Sequence, residues 1–323
     1  MSKWNEQAER LRGTLVDFLW DQWIALGVAG RGTKMPPVPF VVDAEALLLA
    51  TMRFGGREAR LVGEVLDWLA RNGGLISLQR LKNLQTSSRV GTREGLEELG
   101  RFMEAAGHRN WKLLAAWAES VSSPGGQAWV PEGLELRKMS QAPDGSRPEV
   151  FLLRLRSLFG VSARPEVIAW LLTHSSGYAA EIARDTGWFS KSVQAILNDL
   201  ELSGLLESEP VGKRKVYSVN PRNKTFHQQF GGGSRWFSQA PFYLGVRHAL
   251  EILERLAVTP DASESARSIS IRKNLPAMTA AFRLAGMGDD FKGASSLAGA
   301  DLVASFEGGV ERLTKKIARR AFE

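Results

Sequence analysis

The chain has 323 residues, with 42 Lys+Arg against 35 Asp+Glu and a formal charge of +7. With 44% apolar and 24% charged residues it is expected to be soluble and globular, with two or three domains at about 100–200 residues each. It contains no cysteine, which excludes a disulfide framework, a thiolate zinc or iron–sulfur site and a cysteine nucleophile.

The start, Met1-Ser2-Lys3-Trp4-Asn5-Glu6-Gln7, is charged and lacks an apolar core, so no signal peptide is expected. The longest run free of polar residues, eight from Trp23, falls short of the ~20 that a bilayer crossing needs. A cytoplasmic setting with no membrane partner is the expectation. Leu11, Leu15, Phe18, Leu19, Trp23 and Leu26 recur at helical spacing, predicting a first helix that stops at the glycines from Gly27 to Gly32. Pro36, Pro37 and Pro39 then make a stiff extended connection.

Asp43 can cap a helix carrying Leu47, Leu48, Leu49 and Met52. Further helices are predicted over 58–71, ending at Asn72-Gly73-Gly74, and over 77–84, 92–106 and 111–120. Residues 1–122 are expected to form an N-terminal helical domain. The Ser-Ser-Pro-Gly-Gly and Ala-Pro-Asp-Gly-Ser-Arg-Pro stretches make 123–149 a linker or irregular region.

Three helices and a hairpin are predicted next. In the first, Pro165 suits the first turn, and Val167, Ile168, Trp170, Leu171 and Leu172 form the apolar stripe. The second runs from Tyr178 to Asp185, with Thr186-Gly187 as a tight turn. The third begins at Ser190 as its N-cap and turns Val193, Ile196, Leu197 and Leu200 inward. Its opposite face carries Lys191, Ser192, Gln194, Ala195 and Asn198, side chains short enough to reach base edges in a major groove. Two short strands follow, around a basic tip of Gly212, Lys213, Arg214 and Lys215.

Charge is concentrated here. Residues 210–250 contain no acid and seven cations: Lys213, Arg214, Lys215, Arg222, Lys224, Arg235 and Arg247. The rest of the chain balances, 35 against 35. Such a local field attracts polyanions. A second basic cluster, Lys315, Lys316, Arg319 and Arg320, falls on one helical face near the end, and reads as a solvated surface.

Ala180-Glu181-Ile182-Ala183, Thr186-Gly187, the Val193–Leu197–Leu200 stripe, Gly204-Leu205-Leu206 and Gly212-Lys213-Arg214-Lys215-Val216-Tyr217 occur in one order and spacing. Together they resemble the winged helix-turn-helix domains of ArsR- and MarR-like bacterial regulators over residues 160–220, a fifth of the chain. The resemblance implies a winged helix within 150–225, an α+β unit in a mainly α, multi-helical protein. It further implies sequence-specific binding of double-stranded DNA, the third helix in the major groove and the wing on the backbone, by a homodimeric transcription regulator. Ser190, Lys191, Ser192, Gln194 and Asn198 would then face bases. Lys213, Arg214, Lys215, Tyr217, Arg222 and Lys224 would complete the DNA-binding set. Tyr178 and Trp188-Phe189 depart from the family's pattern, and the two aromatics before the third helix suit packing against another domain. A protein-contact reading also stands: an adaptor or antitoxin-like module that holds a partner encoded nearby.

Residues 54–107 echo this arrangement, through Trp68-Leu69 against Trp170-Leu171. They lack a wing, and Glu94, Glu97, Glu98 and Glu104 would repel phosphates, so at most they form a degenerate winged helix. Residues 235–323 are read as a C-terminal helical region, with helices over 239–257, 274–285 and 310–321 and a loop over 259–270. Arg235-Trp236-Phe237 and Phe242-Tyr243 suit a helix docking its aromatic side on the winged helix. No enzyme is expected. Gly27 to Lys34 lacks the Gly-Lys-Ser/Thr order of a phosphate loop, the four histidines lack metal-ligand spacing, and Asp289-Asp290 reads as loop. No cofactor or metal is implied.

Overall fold

The computed structural model describes residues 2–30, 38–120, 128–223, 226, 230 and 235–322. Among them, thirteen α-helices and one two-stranded antiparallel sheet make up the regular structure, with short 3-10 turns between. No described helix is long and apolar enough to cross a membrane.

Helix α1 (Lys3–Ala25) starts where Ser2 accepts a hydrogen bond from the Asn5 amide, and it buries the predicted Leu11, Leu15, Phe18, Leu19 and Trp23. Side-chain caps also start α2 (Ala44–Phe54, Asp43), α4 (Leu78–Ser88, Ser77) and α5 (Arg93–Ala105, Thr92). Between them lie α3 (Ala59–Asn72) and then α6 (Lys112–Glu119). The described part of the expected linker, 128–147, carries neither helix nor strand but is tied down. Glu98 accepts from the Trp129 and Val130 amides, and Asp67 from those of Lys138 and Ser140.

The chain ends share one core. Helix α11 (Gln239–Val258) packs on α1 and α2, α13 (Gly299–Arg319) packs on α1, and α12 (Glu264–Leu284) packs against α11 and α13. Phe18, Phe40, Phe237, Phe242 and Phe322 meet ring against ring, Phe237 and Phe322 with centroids 4.7 Å apart. Each buried ring is worth roughly 1.5–3 kcal/mol over exposure. The expected separation of residues 1–122 from 235–323 is therefore not a separation of cores.

Two boundaries in the C-terminal part differ from expectation. Ser263 caps α12, so the expected loop over 259–270 is helical from Glu264, with Pro276 inside the helix. Helix α13 begins eleven residues before the predicted 310, running through Gly308-Gly309. Gly309 is there for close approach: a Cβ would come within 2.5 Å of the Phe291 ring. Phe242 and Tyr243 lie in the shared core with the phenylalanines, whereas Trp236 packs on the second core.

That second core contains α7 (Phe151–Phe159), α8 (Ala163–Thr173), α9 (Ala179–Thr186), α10 (Ser190–Leu202) and the hairpin β1 (Leu206–Val211) and β2 (Arg214–Val219). Ser162 caps α8, which puts Pro165 at its third position, where an absent N–H still costs nothing. The strands pair from Leu206↔Val219 to Val211↔Arg214, leaving Gly212-Lys213 as a two-residue turn. Gly212 has φ +61°, the left-handed value such a turn asks of its first central residue.

Candidate nucleic-acid interface

Helix α10 is amphipathic as its spacing requires. Val193, Leu197 and Leu200 are buried, while Ser190, Lys191, Ser192, Ala195 and Asn198 are exposed and Gln194 is half-buried. Ser190 is not the N-cap. Phe189 holds that position without a side-chain cap, and Ser190 is the first helical residue, because the chain leaves the turn extended at Phe189.

Tyr217 is the pivot of the site, and it is a core residue rather than a surface one. It is fully buried in β2, and its backbone exchanges hydrogen bonds with Gly177 ahead of α9. Its hydroxyl accepts from Gln194 Nε2 at 2.7 Å and donates to Asn198 Oδ1 at 3.2 Å, while Gln194 Nε2 also reaches Asn198 Oδ1 at 2.9 Å. This triangle fixes the polar face of α10 on the side of the hairpin. It leaves Gln194 Oε1 and Asn198 Nδ2 without hydrogen-bond partners among the described residues, one acceptor and one donor.

The hairpin cations are not equivalent. Lys215 Nζ lies 2.7 Å from Glu201 Oε2, a pair that raises the lysine and, with help from Ser208, holds the Glu201 carboxyl below its usual range. The expected free phosphate donor at 215 is thus engaged by the end of α10. The Arg214 guanidinium stacks over the Tyr178 ring, 4.5 Å from its centroid. Lys213 at the turn and Arg222 beyond β2 are exposed, and no ion pair engages either among the described residues. Lys224 lies outside the described residues. In the second basic cluster, Lys315 pairs with Glu311, Lys316 with Asp290 and Arg320 with Asp21.

What positions α10 is a fully buried ionic junction that the sequence reading missed. Arg80 of α4 makes a two-pronged contact with Asp43, both bonds 2.5 Å, and reaches Glu45 Oε2 at 2.7 Å. Arg156 of α7 binds both oxygens of Glu45, at 2.7 and 2.8 Å, and Glu166 Oε1 at 2.5 Å. Burial opposes the charge on Glu45, but Arg156 and Arg80 overcome it and hold the carboxyl down to about 2. Burial prevails at Glu166, pushing its carboxyl up, and its Oε2 is buried with no hydrogen-bond partner.

The junction grips the turn before α10. Arg80 Nε donates to the Thr186 carbonyl at 2.6 Å, at the end of α9 where helical carbonyls lose their partners. Asn83 Nδ2 donates to the Gly187 carbonyl at 3.1 Å. Gly187 has φ +73°, and a Cβ there would meet Leu84 at 2.5 Å, so glycine is required twice over. Arg80 stands among Leu78, Leu81 and Leu84, and Arg156 among Leu152, Leu153 and Leu155. A cation set inside an apolar stripe was the available signal.

Comparison with family models, curated proteins and solved structures finds no match for this chain. Its functional reading rests on the geometry above.

Proposed function

We propose that α8, α9, α10 and the hairpin form a winged helix-turn-helix that binds double-stranded DNA in a sequence-dependent way. On this reading the protein is a cytoplasmic transcription regulator with no catalytic step. The observation that carries it is the Tyr217–Gln194–Asn198 triangle. It holds the exposed polar face of α10 and the basic hairpin on one side of the molecule, where a duplex can reach both. Lys191, Ser192, Gln194 and Asn198 face base edges, and Lys213, Arg214 and Arg222 take phosphates. Two copies would set their α10 helices about 34 Å apart on a two-fold site.

Fluorescence-anisotropy titration with the DNA upstream of its own gene, across a salt series, tests the reading. Three phosphates neutralised by Lys213, Arg214 and Arg222 give a slope of log affinity on log salt of about −2.7. Binding that ignores sequence and salt refutes it. The partner-protein reading keeps one observation of its own. Phe189 is 62% exposed beside a cleft of about 800 Å³ that Trp117 and Trp188 also line. Absence of DNA binding together with a stable complex with a neighbour-encoded protein would favour it.

A further inference from the structure

Tyr178 departs from the winged-helix pattern and takes no part in the base and phosphate contacts proposed for α10 and the hairpin. It stands just before α9, and its side chain makes no capping bond there. Backbone geometry fixes its place. Gly177 donates to the Tyr217 carbonyl at 2.9 Å and accepts from the Tyr217 amide at 2.8 Å. A Cβ on Gly177 would come within 2.4 Å of the Trp170 ring, so this crossing requires glycine. The antiparallel bridge sets the extended Tyr178 opposite Val216 and diagonal to Arg214, on the face away from the buried Tyr217. Diagonal neighbours lie within reach of aromatic and long side chains.

The Arg214 guanidinium takes up that reach, 4.5 Å from the Tyr178 ring centroid. No carboxylate pairs with Arg214 among the described residues, Glu181 in the first turn of α9 included. A ring engages the face of the guanidinium plane and leaves the N–H groups along its edge free to donate. The other hairpin cations differ: Lys215 is engaged by Glu201, and Lys213 has neither ring nor carboxylate among the described residues. We propose that Tyr178 is a positioning residue whose ring holds the Arg214 guanidinium ready for a backbone phosphate of double-stranded DNA. This role rests on the DNA-binding reading. A free arginine loses rotamer freedom when it meets a phosphate, whereas a stacked one has already lost much of it. Because phosphates carry no sequence information, the ring acts on affinity and not on base preference.

The salt-series anisotropy titration of the full chain, with the DNA upstream of its own gene, tests the role. Tyr178→Leu is expected to weaken binding about threefold at every salt concentration. The slope stays unchanged, because Arg214 still reaches its phosphate. Tyr178→Phe keeps the ring and binds as the parent does. In an Arg214→Ala background, Tyr178→Leu adds no further loss. Parent-like binding by Tyr178→Leu, equal losses in Tyr178→Leu and Tyr178→Phe, or a full loss without Arg214 overturns the role. Nuclear magnetic resonance of the parent tests the stack without DNA. The Arg214 δ protons, identified by their absence in Arg214→Ala, are expected upfield of unstacked arginines, and an ordinary shift overturns the stack. A parent that binds DNA beside an unaffected Tyr178→Leu sinks this role alone. A parent without salt-sensitive binding sinks the DNA-binding reading and the role together.

Discussion

Glu45 and Glu166 are both fully buried against Arg156, yet their loss should have unequal weight. Glu45 accepts from Arg80, from both terminal nitrogens of Arg156 and from the Ser77 amide at 2.6 Å. In Glu45→Gln, an NH2 group replaces one of these oxygens and meets guanidinium donors, while the negative charge that compensates Arg80 and Arg156 is gone. Breaking a buried pair from one side costs about 3–5 kcal/mol, because the surviving charge stays desolvated. Glu166 bonds through one oxygen only, to Arg156 alone, and burial pushes its carboxyl up, so Glu166→Gln gives up less favourable charge interaction than Glu45→Gln does. Its expected cost is about 1 kcal/mol or less. Urea denaturation at neutral pH, followed by far-ultraviolet circular dichroism, measures both. If Glu166→Gln proves the more damaging, or Glu45→Gln costs under about 1 kcal/mol, the charge assignment in the junction is wrong.

The same junction should respond to acid. Glu45 is held at about 2, so the stability it contributes is complete above its unfolded value of 4.5 and disappears as pH falls from there toward 2. Chemical denaturation over that range should show a decline that Glu45→Gln flattens. On the DNA side, Arg214→Ala is expected to weaken binding to every sequence and to shallow the salt slope by about 0.9, seen in the anisotropy series. Gln194→Ala removes the free Oε1 acceptor and the tie to Tyr217, so it should alter base preference, read by competition with mutated operators, while the slope stays put.

Much of this protein follows from local chemistry, and the sequence is a sufficient guide to it. Apolar residues at helical spacing define α1, α3 and α10. Asp43, Ser77 and Thr92 mark helix starts because an N-cap oxygen acts within three residues of itself. Gly187 and Gly212 announce their turns because glycine adopts a positive φ without the steric cost that a Cβ imposes. Tertiary structure decided whatever depends on distant partners. Tyr217 is a buried pivot because Gln194 and Asn198 happen to face it, and Lys215 is engaged because α10 ends beside β2. The Phe18–Phe322 contact joins the chain ends in one core. Arg80 reaches a carbonyl 106 residues away, and Arg156 a carboxylate 111 residues away. Coulomb energy and desolvation depend on what surrounds a charge in space, and no short window of sequence contains that information.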